Sequence, residues 1–81
     1  MTFDYTAPIN YYDFLVGKPH AWEFIFSEGS PIKKGDFVNV IEVDMNGDPT
    51  GNEMLGEVLY RQVNDVFVYR DSSMLVYVIP V

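Results

Sequence analysis

Short runs in which hydrophobic and polar residues alternate, separated by turn residues, dominate this chain. A period of two is typical of β-strands with one buried face. In the clearest run, Trp22, Phe24 and Phe26 fall on one side of the chain, with Glu23 and Ile25 on the other. The predicted strands are 2–8, 21–26, 37–43, 54–62, 66–70 and 74–79, with turns at 33–36, 63–65 and 71–73 between them. The pattern therefore indicates a small, mainly β domain, a barrel or a sandwich.

The stretch Pro31–Tyr60 is the predicted spine of that domain. Two glycine-containing turn sequences, Asn46-Gly47 and Asp48-Pro49-Thr50-Gly51, separate its two strands, which predicts a hairpin with a long loop. The first strand, 37–43, is largely apolar on both faces, as in a barrel wall that is packed inside and outside. In the second strand, Gly56 is the expected position of a bulge or bend.

One short helix is predicted after the first strand. Asn10 is a suitable N-cap, and Gly17 a suitable residue to end the helix. Tyr11, Phe14 and Leu15 recur at the i, i+3 and i+4 spacing of one helix face. We therefore expect two helical turns that lie against the sheet by this face.

Length and composition favour one domain over residues 1–81, with 48% hydrophobic residues to build its core. There is no cysteine and a single histidine, His20, so we expect neither a disulfide nor a thiolate or histidine-cluster metal site, and no cofactor. The first residues lack the basic and apolar regions of a signal peptide, and no apolar run approaches the ~20 residues of a membrane span. A cytoplasmic protein, in a cell or in an infected cell, is the expectation.

The formal net charge of −7 narrows the choice of partners. Nucleic-acid affinity comes largely from Lys and Arg that neutralise phosphates, and the chain has only five of these against twelve acidic residues. Contact with RNA or a nucleotide would have to be local, in a cleft. The alternatives are a basic protein as partner, or acidity that merely keeps a small domain in solution.

Five segments in order resemble the ASCH-like branch of the PUA superfamily, and most of all its small single-domain bacterial and phage families. They are 12–18, 22–24, 32–38, the turn with Thr50-Gly51, and 56–60. The resemblance implies a five- to six-stranded β-barrel with one short helix after the first strand, and a cleft between the two. It also implies that the cleft binds RNA or a modified nucleotide.

One branch of that superfamily is similar to amidohydrolases that act on acetylated cytidine with a lysine, a threonine and a glutamate. Lys18 and Glu23 could stand for the lysine and the glutamate. The spacing between them is longer than in the family, the threonine is absent, and Ile25 replaces an arginine that follows the glutamate. Catalysis therefore ranks last among the functions considered.

Candidate site residues follow from the residue types and from the family resemblance. Lys18, His20 and Glu23 could form an acid–base set, or the first two could be solvated loop residues. The aromatic rings could stack on a base or pack in the core. The candidate ligand-binding residues are Tyr11, Tyr12, Lys18, His20, Trp22, Glu23 and Tyr60.

Acidic residues gather on the central hairpin and provide the alternative function. They are Glu42, Asp44, Asp48, Glu53 and Glu57. Such a cluster could dock on a basic protein, as in an acidic, phage-encoded inhibitor of a host nucleic-acid enzyme, or it could be a solvated rim. The spacing does not match a calcium loop, whose glycine stands at the sixth position.

Overall fold

Five strands curl into a half-barrel in the computed structural model, which describes residues 1–18, 20–27, 29–63 and 73–81. The elements are β1 (Thr2–Pro8), α1 (Ile9–Val16), β2 (Trp22–Ser27), β3 (Phe37–Val43), β4 (Pro49–Val63) and β5 (Ser73–Pro80). The prediction of a mainly β domain with one short helix after the first strand is confirmed. The predicted strand 66–70 lies outside the described residues.

The strand order in the sheet is β1-β3-β4-β5-β2, so β1 and β2 form its two edges. β1 runs parallel to β3, and all other neighbours are antiparallel. The sheet curls until the edges approach each other across its concave side. There the ring of Tyr5 on β1 lies 4.5 Å, centroid to centroid, from that of Phe24 on β2.

The period-two pattern fills the concave side with apolar side chains. On each strand the buried residues alternate with exposed or half-buried ones, as for Val38 and Val40 on β3. The three residues predicted to share one side of β2 lie together on the concave side: Trp22 and Phe24 are buried, and Phe26 packs against them. The buried hydrophobic core consists of Ala7, Tyr12, Leu15, Trp22, Phe24, Ile32, Val38, Val40, Val58, Met74, Val76 and Val78.

The helix α1 differs from its prediction in two respects. β1 runs directly into it, so Pro8 occupies the N-cap position and Asn10 already lies in the first turn. The buried residues are Tyr12 and Leu15, whereas Phe14 is 54% exposed, because it lies a step of about 100° around the helix from Leu15. Among the described residues, no helix has the length and apolar character needed to cross a membrane.

The central hairpin has a tighter turn than predicted. Asp44 and Asp48 are joined by a hydrogen bond from the amide of the first to the carbonyl of the second, at 2.9 Å. β4 begins directly afterwards at Pro49 rather than at Met54. The turn needs its glycine, since Gly47 has a φ of +82°.

Gly56 does not mark a bulge. The register shifts lie between Ile41 and Val43 on β3 and between Val58 and Tyr60 on β4. Gly56 is instead a point of close approach on the concave side, beneath the buried side chains of Trp22 and Val78.

The predicted turn at 33–36 is present, and it is held by a buried carboxylate. The amide of Asp36 donates to the carbonyl of Lys33 at 3.0 Å, and Gly35 has a φ of +91°. The Asp36 carboxylate accepts hydrogen bonds from the Lys33 amide (3.1 Å) and the amino group of Met1 (3.3 Å). These contacts tie the start of β1 to the entry of β3, its parallel neighbour.

Candidate functional site

A cleft lies between α1 and β2, where the predicted site was expected. Its cavity has a volume of about 270 Å³. The lining residues are Tyr11, Phe14, Leu15, Lys18, Ala21, Trp22 and Glu23. A shallower hollow of about 370 Å³ adjoins it and adds Gly17 and His20. We call the first cavity the α1–β2 cleft. The structure thus brings together five of the seven predicted ligand-binding residues.

One wall of the α1–β2 cleft is aromatic and carries a positive charge. The rings of Tyr11 and Phe14 are nearly parallel, with 6.2 Å between centroids and 15° between planes. The Lys18 ammonium lies 4.6 Å from the centroid of the Phe14 ring, within the range of a cation–π contact. Phe14 is thus an exposed aromatic side chain at the mouth of a cavity, which makes it a candidate for stacking.

Phe14 was not among the predicted site residues, because the i, i+3, i+4 spacing places it on the buried face of the helix. A usable signal was present. Tyr11, Phe14 and Lys18 are spaced i, i+3 and i+7, so two aromatic rings and a cation share one stripe of the helix. A stripe that ends in a lysine is better suited to a cleft than to a core.

Trp22 lines the cleft but is itself part of the core. Its side chain is only 3% exposed, and its indole Nε1–H donates a hydrogen bond of 3.0 Å to the carbonyl oxygen of Leu15. This bond joins the start of β2 to the last turn of α1. Trp22 therefore positions the helix against the sheet, and little of its ring surface is open to a ligand.

Tyr11 links the helix to the exposed edge of β2. Its hydroxyl donates to the carbonyl oxygen of Glu23 at 3.5 Å. Burial raises the pKa of this hydroxyl, and the neighbouring Tyr5 and Glu23 raise it further. Tyr11 therefore remains protonated at neutral pH and acts as a hydrogen-bond donor beside the cleft.

Two of the predicted ligand-binding residues line neither the α1–β2 cleft nor the hollow that adjoins it. Tyr12 is buried, and burial together with the charges of Glu42 and Glu53 raises the pKa of its hydroxyl. Tyr60 lies on the outer side of the sheet, where its ring stacks on that of Tyr77 at 4.4 Å. Neither residue is placed to contact a ligand in the α1–β2 cleft.

The acidic residues of the central hairpin do not form one surface. Glu42 is only 6% exposed, and its Oε1 accepts hydrogen bonds from the Thr50 hydroxyl and, at 3.1 Å, from the Asn52 side-chain amide. It faces inward with Val38 and Val40, so it cannot belong to a contact surface. Asp44 accepts from two backbone amides of its own turn, at 2.9 and 3.0 Å. The exposed acidic residues of the predicted set are Asp48, Glu53 and Glu57.

Within the described ranges, no group of three or more histidine, aspartate or glutamate side chains is placed to hold a metal ion. No protein-family model and no curated protein matches this sequence. The resemblance to the ASCH-like branch therefore stays a prediction, and the function has to be inferred from the site.

Proposed function

We propose that this protein is a binding module whose α1–β2 cleft takes a nucleotide, or the end of an RNA chain. The proposal rests on the exposed ring of Phe14 and the lysine beside it. A phenylalanine ring that is 54% exposed beside a cavity of about 270 Å³, with the Lys18 ammonium 4.6 Å from its centroid, offers a stacking surface and a cation together.

The two groups suit the two parts of a nucleotide. Stacking of a base on an aromatic ring is worth about 1–3 kcal/mol and is tolerant of sequence. The ammonium of Lys18 can turn from the ring toward a phosphate, because its side chain is flexible and exposed. The Glu23 side chain and main chain add hydrogen-bond acceptors for the N–H groups of a base.

The charge of the site limits the size of the ligand. Lys18 is the single lysine or arginine among the residues that line the cleft, and the chain carries a net charge of −7. Affinity for a nucleic-acid strand grows with the number of phosphates that Lys and Arg neutralise, and one lysine supports contact with about one phosphate. A mononucleotide or a chain end fits this site better than a long strand does.

The experiment is a titration of ¹⁵N-labelled protein with nucleoside monophosphates, the matching nucleosides and short RNAs. We expect amide shifts to cluster at 11–18 and 21–23. Phe14→Ala should weaken binding by about 1–3 kcal/mol, the value of one stacked ring. Lys18→Met should reduce the affinity for the monophosphate toward that of the nucleoside.

Val16→Ala is the matched control, because Val16 is 57% exposed on the same helix and does not line the cleft. Equal binding by Phe14→Ala and Val16→Ala would show that the ring takes no part. An absence of shifts at 11–23 with every ligand would refute the proposal.

A further inference from the structure

The outer, convex side of the half-barrel carries apolar side chains on three neighbouring strands, β2, β5 and β4. Cross-strand partners share a face, so the pairing of Glu23 with Tyr77 and of Tyr77 with Tyr60 makes a row across β2, β5 and β4. Ile25 and Leu75 form the adjoining row. We call this surface the convex face. Its apolar residues are Ile25, Leu55, Tyr60, Leu75, Tyr77 and Ile79.

The apolar side chains of the convex face are substantially open to solvent. Ile25 is 45% exposed, Leu55 42% and Tyr60 49%, and they belong to the two strands that flank β5. Single exposed hydrophobic residues are ordinary on a protein surface. A set of apolar side chains on three neighbouring strands is different, because extended apolar patches mark sites of interaction.

Acidic side chains alternate with the apolar ones on this face. Glu23, Glu53 and Glu57 project to the same side, by their pairing with Tyr77, Ile41 and Ile79. In the five described strands Arg61 is the single basic residue, and its guanidinium donates to the carbonyls of Ser30 and Ile32 at 3.2 and 3.1 Å. The convex face thus combines apolar area with carboxylates, without a described strand cation to neutralise them.

We infer that the convex face is a docking surface for a protein that presents apolar side chains flanked by lysine or arginine. Apolar contact supplies affinity, and opposite charges supply orientation and a fast association rate. Nucleic acid is disfavoured as the occupant, because its phosphates would face carboxylates. A second copy of this chain is disfavoured as well, because it would bring like charges together.

The convex face and the α1–β2 cleft can be tested separately. Glu23 borders both, so it is unsuitable for the test. Glu53, Glu57 and Tyr60 lie on β4 and do not line the cleft. Substitutions at these positions should leave ligand binding in the cleft unchanged, so failure of one proposal does not imply failure of the other.

The experiment is a selection of random displayed peptides on the immobilised protein. We expect enriched peptides with a net positive charge and aromatic or aliphatic residues. One selected peptide is then titrated against Glu53→Lys/Glu57→Lys, which we expect to lower its affinity about tenfold or more. Tyr60→Ser should also weaken it, and amide shifts on the wild-type protein should fall on β2, β4 and β5.

The matched control is Asp13→Lys/Asp48→Lys, which changes the net charge equally on the exposed side of α1 and in the hairpin turn. Several results would overturn the inference: no enrichment, enrichment of neutral or acidic peptides, or a loss in the control as large as in the test variant. A dimer of the wild-type protein in sedimentation at physiological salt, dispersed by Tyr60→Ser, would show that a second copy covers the face instead.

Discussion

Replacement of Gly56 by alanine tests how tightly the concave side is packed behind the cleft. A Cβ atom at this position would lie 2.3 Å from Val78 Cγ1, 2.9 Å from Trp22 Cζ3 and 3.0 Å from the carbonyl oxygen of Ile79. The backbone of Gly56 does not require positive φ, so the expected effect is steric. The indole ring cannot swing away freely, because its Nε1–H is bonded to the Leu15 carbonyl.

Two opposing effects decide whether Gly56→Ala stabilises or destabilises the fold. A glycine-to-alanine substitution in a compatible backbone stabilises by about 0.4–1 kcal/mol through the unfolded chain. Overpacking of a filled core costs about 1–3 kcal/mol and occasionally more. Since three atoms are within 3.0 Å and one of them is backbone, the second effect should win. We expect a net loss of about 1–2 kcal/mol, or roughly 4–16 °C in Tm for a domain of this size.

The assay is urea unfolding followed by the fluorescence of Trp22, the single tryptophan. Gly17→Ala is the matched control. Its φ is −75° and an added Cβ would approach the Phe14 carbonyl oxygen only to 3.5 Å, an ordinary contact. The free energy of unfolding of the control should be unchanged or higher by up to about 1 kcal/mol, and not lower.

A double substitution supplies the decisive test. Val78→Ala removes the methyl group nearest to the added Cβ, so the clash in Gly56→Ala/Val78→Ala should be partly relieved. The loss of unfolding free energy in the double variant should be smaller than the sum of the two single losses by about 0.5–2 kcal/mol. Strictly additive losses, or an unchanged midpoint for Gly56→Ala alone, would refute the close-packing interpretation.

Three further predictions concern side-chain contacts that join one element of the fold to another. Burial alone would raise the pKa of Asp36, but hydrogen bonds from the Lys33 amide and the terminal ammonium, with the charges of that ammonium and of the Lys33 side chain, lower it below its usual 3.8. The stabilising effect of the carboxylate is therefore present at neutral pH and is lost as the pH falls through the lowered pKa. The unfolding midpoints of Asp36→Asn and wild type should converge in acid. Trp22→Phe should cost about 1–3 kcal/mol in urea unfolding, through loss of the hydrogen bond to Leu15 and of ring volume. Glu42→Ala should lower stability by a similar amount, and Glu42→Gln should restore part of it, because an amide oxygen can still accept from Thr50.

Each of these predictions has a result that contradicts it. A difference between Asp36→Asn and wild type that stays constant from neutral to acid pH would show that the carboxylate charge is not the cause. A Trp22→Phe variant with unchanged stability and unchanged amide shifts in α1 would exclude its role in positioning the helix. Equal losses for Glu42→Ala and Glu42→Gln would mean that the hydrogen bonds to Glu42 are not what stabilises β4.

The strands were predictable because the alternation of apolar and polar residues follows the alternation of buried and exposed side chains. Phe37–Val43 has the predicted bounds, and β2 buries the predicted row that includes Trp22 and Phe24. A period of two with aromatic and branched residues admits few other structures. The start of β4 at Pro49 was missed because proline and glycine in sequence indicate a loop, although here Gly51 has positive φ within a strand.

The helix shows why the site was only partly predictable. Its position between β1 and β2 follows from local sequence, but the side it presents to the sheet depends on where its first turn begins. The direct passage from Pro8 into α1 makes Tyr12 and Leu15 the buried pair and leaves Phe14 outside. Glu42 was misplaced for a similar reason, because its partners Thr50 and Asn52 come from another strand, and a single sequence does not show that pairing.

The approach of β1 to β2 has a mechanical consequence. Neighbouring strands in a ladder are held about 4.8 Å apart by backbone hydrogen bonds. β1 and β2 are not paired in the described sheet, and the Tyr5 ring, 4.5 Å from Phe24 and 5.9 Å from Phe26, fills the space between them. The gap between the two edges of the half-barrel is therefore filled by three aromatic rings, and substitutions at these rings can change its width without breaking a backbone hydrogen bond of the sheet.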